Sequence, residues 1–166
     1  MRKLLTAGFI ALTIGVSGAT SVQATTAPGG PVDPGADMQV VEYFQFQVRH
    51  SKKCLDVAHA SSDDKAAVIQ YTCGIQANQE WRLVPVGTTG YFRFVAHHSG
   101  KCLDIWNASR DDTADAIQYA CSDDKEHQQF KRVATSNHYV QIRARHSNKC
   151  LAVEGASHDD KVQVHQ

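Results

Sequence analysis

The chain has 166 residues with seventeen basic and seventeen acidic side chains, so its formal charge is zero with the nine histidines counted neutral. That balance excludes a nucleic-acid binder that works by bulk electrostatics, because tracking phosphates requires an excess of Lys and Arg. The length suits one domain of ordinary size, and the expected partner is uncharged or weakly charged.

The chain opens with Arg2 and Lys3, an apolar run from Leu4 to Val16, and small residues up to Val22, Gln23 and Ala24. This is the pattern of a secretory signal peptide over residues 1–24, with Val22 and Ala24 at the cleavage site. No stop-transfer segment follows, so the apolar run is not read as a membrane anchor. The product is expected to be secreted and extracellular, with no membrane partner. Removing the signal takes away Arg2 and Lys3 and leaves a small acidic excess. Residues 25–39 hold all but one of the four prolines, several glycines and no apolar periodicity, which predicts a flexible leader.

Residues 40–166 carry an internal repeat. The segments RHSKKCLDV, HHSGKCLDI and RHSNKCLAV place Cys54, Cys102 and Cys150 at a constant spacing of 48 residues. Tyr43, Tyr91 and Tyr139 keep the same register, as do His50, His98 and His146 and the pairs Asp63-Asp64, Asp111-Asp112 and Asp159-Asp160. The copies run over residues 43–90, 91–138 and 139–166.

Within copy one, YFQFQVR (Tyr43 to Arg49) alternates aromatic or apolar with polar residues. CLDV, AVIQY and WRLV follow as further β-prone runs, giving four short strands per copy. Gly, Ser, Asn and Asp cluster between the runs as turns require, and no helix-period pattern competes. Such units cannot bury their apolar faces alone. Three of them close into a pseudo-threefold barrel without free edges, which predicts an all-β chain folded as a β-trefoil. The third copy ends at Gln166, the equivalent of Gln70, so the expectation is a truncated third repeat in an incomplete chain.

Cys54 and Cys73 are separated by 19 residues, as are Cys102 and Cys121. In an oxidising compartment both pairs are expected to be disulfides, each worth on the order of 3 kcal/mol by loop closure. Cys150 has no partner at that spacing and is expected to be free.

CLDV, then IQY two residues before the second cysteine, then NQEW resembles the ricin B-type lectin family over roughly residues 40–166. Its Gln-x-Trp hallmark stands as Gln79-Glu80-Trp81, and copy two carries Gln128-Gln129-Phe130. The resemblance implies a β-trefoil with up to three shallow sugar sites and a non-catalytic, carbohydrate-binding role. A neutral sugar offers vicinal hydroxyls that a carboxylate and an amide satisfy, and an apolar C–H face that lies on an aromatic ring. In copy one these groups are Asp56, Asn78 and Tyr71. The resemblance assigns Gln79 to orienting Asp56 and Trp81 to the barrel core, while strand alternation turns Gln70 away from Tyr71. Copy two keeps Asp104, Tyr119 and Gln128 but has His127 where copy one has Asn78. Copy three has Ala152 in place of the aspartate and is expected to bind no sugar.

Other readings stand beside these. A lone Asp at such a place caps a turn, and Tyr71 and Tyr119 could pack as ordinary strand aromatics. The Asp-Asp pairs recur with the scaffold and are read as turn residues, and the histidines as shaping the tight turn before each cysteine. The His-x-x-x-Cys spacing invites a metal, but zinc wants three or four converging ligands and two of these cysteines serve better in disulfides, so neither metal nor cofactor is expected. No nucleophile elbow, zinc-protease helix or phosphate loop is present, and no enzyme activity is expected. A trefoil can also serve as a protein-binding or hydrolase-inhibitor domain. Any catalytic partner would lie beyond Gln166 or on another chain. The ligand expected is a galactose-type sugar or a xylan-like polysaccharide.

Overall fold

A computed structural model describes residues 41–135 and 139–166; the expected signal peptide (1–24) and leader (25–39) lie outside the described residues. Ten short strands follow in chain order: β1 (Cys54–Val57), β2 (Val68–Tyr71), β3 (Trp81–Pro85), β4 (Phe92–Ala96), β5 (Cys102–Ile105), β6 (Ala116–Tyr119), β7 (Phe130–Ala134), β8 (Val140–Ala144), β9 (Ala152–Val153) and β10 (Val162–His165). Among the described residues the helical segments between them are three-residue 3-10 turns.

The 48-residue period reappears as strand pairing. β1 pairs antiparallel with β2 in the register Cys54↔Tyr71 to Val57↔Val68, and β5 pairs with β6 from Cys102↔Tyr119 to Ile105↔Ala116. β9 and β10 repeat the hairpin in copy three, pairing Val164 with Val153 and His165 with Ala152. The three hairpins touch cyclically, through Val162↔Gln70, Ala67↔Ile117 and Asp115↔His165. In the barrel, the fourth strands of copies one and two each pair over five residues with the first strand of the next copy, β3 with β4 and β7 with β8. This is a β-trefoil.

One expected strand does not form a continuous ladder. Tyr43–Arg49 makes only two isolated bridges, Phe44↔Trp81 and Gln47↔Cys54. Its counterparts β4 and β8 each draw five pairs from the fourth strand of the preceding copy. By the same cyclic rule this run would pair with a fourth strand of copy three, and none is found among the described residues. The alternating sequence is present, but among the described residues no strand continues the ladder along it.

Trp81, Phe94, Phe130, Leu103, Ile105, Val57 and Val68 are fully buried and form one core, each contributing roughly 1.5–3 kcal/mol by burial. Trp81 and Phe130 hold the same place in copies one and two. Trp81 donates its indole N–H to Leu55 O at 3.2 Å, and Phe130 meets Phe94 edge to face at 5.8 Å.

The copies are fastened by a repeated polar clasp. Buried Gln118 accepts from Ser99 Oγ at 2.8 Å and donates to Ser61 O and Asp63 O of copy one. Gln166 does the same with Ser147, Ser109 O and Asp111 O, and Gln70 with Ser51, Ser157 O and Asp159 O. His50, His98 and His146 contact the same Ser157, Ser61 and Ser109 carbonyls at 2.8–2.9 Å. The histidines stand in the expected turns before each cysteine and from there also bridge copies. The second Asp of each pair does likewise: Asp64 pairs with Lys101, Asp112 with Lys149 and Asp160 with Lys53. These lysine partners hold all three carboxyls below their usual range. The first Asp of each pair keeps the expected turn role, its backbone N–H donating to a serine hydroxyl two residues earlier.

Cys54–Cys73 and Cys102–Cys121 are bonded and Cys150 is free.

Candidate functional site

In copy one the carboxylate sits on β1 and the amides on the 3-10 turn 77–79 that leads into β3. Asp56 is 5 % exposed. Asn78 Nδ2 donates to Asp56 Oδ1 at 3.0 Å and to Val57 O at 3.0 Å, while Gln79 Nε2 donates to Asp56 Oδ2 at 2.8 Å and to Thr72 O at 3.0 Å. Gln79 is held at its other end by the Gly74 N–H at 2.8 Å, so its amide is fixed before it meets the aspartate. Burial pushes the Asp56 carboxyl up, and the hydrogen bonds from Gln79 and Asn78 oppose the shift. Asn78 is itself buried, and no donor meets its Oδ1 among the described residues. Tyr71 stands at the end of β2, exposed, with no hydrogen bond tying it to this cluster.

Copy two repeats the frame with different walls. Gln128 Nε2 donates to Asp104 Oδ2 at 2.7 Å and to Ala120 O at 3.0 Å, and Ser122 N–H holds its other end at 2.9 Å. His127 Nε2 lies 3.6 Å from Asp104 Oδ2, too far for a hydrogen bond, so the bond Asn78 makes in copy one has no counterpart. Burial raises the Asp104 carboxyl to about 6 and lowers the His127 imidazole below its usual range. A cavity of about 250 Å³ opens here, lined by Asp104, Trp106, Asn107, Tyr119, Lys125 and His127 together with Lys65 and Ile117. Four of the expected residues are thus gathered around copy two: Asp104, Tyr119 and His127 in the cavity, with Gln128 bonded to Asp104.

Trp106, Asn107, Lys65 and Lys125 escaped the sequence reading. Trp106 directly follows CLDI where copy one has Ala58, so its signal was a departure between copies and not a repeat. Copy three has Ala152 at the aspartate position, and Gln166, the partner of Ser147, belongs to the clasp. No group of three or more His, Cys, Asp or Glu side chains converges for a metal among the described residues.

A β-trefoil carrying an amide-held aspartate in two of three copies defines a lectin-type, carbohydrate-binding module. The family model for ricin-type beta-trefoil lectin domain-like sequences matches residues 36–119 and 77–166, and the chain belongs to this family. Its structure is similar to ThreeFoil, a designed 3-fold symmetric protein, at 48% identity over 75% of this chain and 87% of that one, with a TM-score of 0.72. An exo-beta-1,3-galactanase from Clostridium thermocellum is 32% identical over 75% of this chain but only 26% of the enzyme, with a TM-score of 0.69. The hemolytic lectin CEL-III is 28% identical over 75% of this chain and 27% of its own, with a TM-score of 0.60. No curated protein matches the chain.

Proposed function

We propose that the chain is a secreted, non-catalytic module that binds galactose-type sugars at shallow sites in copies one and two. The observation that carries this reading is the pair of buried aspartates, Asp56 and Asp104, each oriented by a glutamine that the backbone locks in place. A carboxylate held this way is a ready acceptor for sugar hydroxyls, and Tyr71 and Tyr119 offer faces for the C–H side of the ring. Copy three, with Ala152, lacks the acceptor.

Similarity to a module-sized part of a galactanase favours a galactose-type ligand over a xylan-like one and fits a role beside a catalytic partner. The non-catalytic reading is supported by the separation of the two aspartates onto different copies, since glycoside hydrolysis needs two carboxyl groups flanking one bond. Secretion is supported by the signal pattern of residues 1–24 and by two disulfides. Each site should be weak, on the order of millimolar, with retention on a polymer coming from two sites acting together.

A glycan array probed with the full chain tests the reading. Retention on galactose-containing polymers is the expected result. Absence of binding to any glycan, with capture of a hydrolase instead, would favour the inhibitor reading.

A further inference from the structure

The two candidate sites differ in charge. Lys65 and Lys125 both line the copy-two cavity, with their ammonium groups 5.0 Å from the ring centroids of Trp106 and Tyr119 respectively. Lys53, Lys101 and Lys149 spend their charge on Asp160, Asp64 and Asp112, whereas neither Lys65 nor Lys125 forms a salt bridge with a described carboxylate. Asp104, Asp64 and Asp124 feel the charge of Lys125, but their side-chain hydrogen bonds come from Gln128, Lys101 and Ser122. In copy one Gln76 stands where copy two has Lys125, and Ala58 where it has Trp106. Only the Lys65 position keeps its charge there, as Lys161, whose backbone N–H donates to Gln70 O just as that of Lys65 donates to Gln118 O. The single acidic group among the residues lining the copy-two cavity, Asp104, is buried and engaged by Gln128.

Two ammonium groups without carboxylate partners on the aromatic walls of a sugar-sized cavity would be a poor choice for a purely neutral ligand. We propose that the copy-two cavity takes an acidic sugar, a galactose-type ring whose carboxylate or sulfate ester is met by the Lys65 and Lys125 ammonium groups. The proposal rests on the sugar-binding reading above and adds a ligand class to one of its two sites. An anionic substituent draws the lysines off the ring faces, replaces a cation–π contact with a charge-assisted hydrogen bond, and frees Trp106 and Tyr119 for the sugar.

The test uses the full chain carrying Asp56→Ala, so that copy two is read alone, titrated by NMR with galactose, galacturonate and galactose 6-sulfate. Two partly exposed ion pairs predict roughly fivefold tighter binding of an anionic sugar than of galactose at low ionic strength, shrinking as salt is raised. The preference should fall to about unity in the Lys65→Gln, Lys125→Gln double variant, whose fold is checked by circular dichroism. Preference for galacturonate alone assigns the carboxylate, and preference for the 6-sulfate alone assigns the ester. Equal binding of all three sugars, or a preference that survives loss of both lysines, overturns the proposal and leaves the sugar-binding reading standing. Binding of none of them by copy two, while Asp104→Ala retains galactose binding at copy one, overturns it together with copy two's role.

Discussion

Replacing Asp56 with alanine is the sharpest perturbation of copy one because the structure shows what remains. Asn78 Nδ2 keeps Val57 O at 3.0 Å, and Gln79 Nε2 keeps Thr72 O at 3.0 Å. Each amide loses one buried acceptor and keeps the other, so the turn 77–79 and the core beneath it should hold at a cost of about 1–3 kcal/mol per unsatisfied group. The sugar loses its charged acceptor, worth about 1.5–3 kcal/mol, or roughly ten- to a hundredfold in affinity. Starting from millimolar binding, that is effective loss. The assay is titration of galactose into Asp56→Ala built on an Asp104→Ala background, with Asp104→Ala alone as reference and thermal denaturation as the control for folding. Undiminished binding by the folded double variant would refute the assignment of Asp56 as acceptor and move the ligand elsewhere.

Three further outcomes are expected. Asp104 should be ionised above about pH 6, and a carboxylate accepts from sugar hydroxyls better than a neutral acid, so copy-two binding of galactose should fall about tenfold between pH 7 and pH 5; a flat profile in the Asp56→Ala background would contradict this. Gln118→Ala removes a fully buried side chain with three hydrogen bonds, two of them to copy-one carbonyls, and should destabilise the fold by about 2–4 kcal/mol in chemical denaturation, whereas exposed Asp63→Ala should barely shift the midpoint. Thiol titration of the unreduced, denatured chain should count one free thiol, and reduction should lower stability by roughly 3 kcal/mol per 19-residue loop; two or more thiols before reduction would reject the pairing.

The trefoil was legible because a 48-residue register fixes how many units there are and what each must bury, and the disulfides followed from equal spacings. What the sequence hid were relations between copies. Alternation along Tyr43–Arg49 reports which faces its side chains take, but it cannot report whether a neighbouring strand is available, and the run forms two bridges instead of a ladder. His98 and Asp64 recur with the scaffold, so they read as local turn formers. Their partners, Ser61 and Lys101, lie 37 residues away in another copy, and periodicity alone does not say which copy a side chain reaches. The Asp56–Gln79 pair was legible by resemblance. The Trp106 and lysine walls of copy two were not, because they break the repeat and a search for self-similarity passes over them.

Sugar binding in two of the three copies can be read residue by residue. Titrating an isotopically labelled chain with galactose and following backbone amide shifts tests it most directly. Amides around Asp56, Tyr71 and Asn78 and around Asp104, Tyr119 and His127 should shift, with none shifting around Ala152. Shifts centred on Ala152, or confined to residues remote from both aspartates, would contradict it.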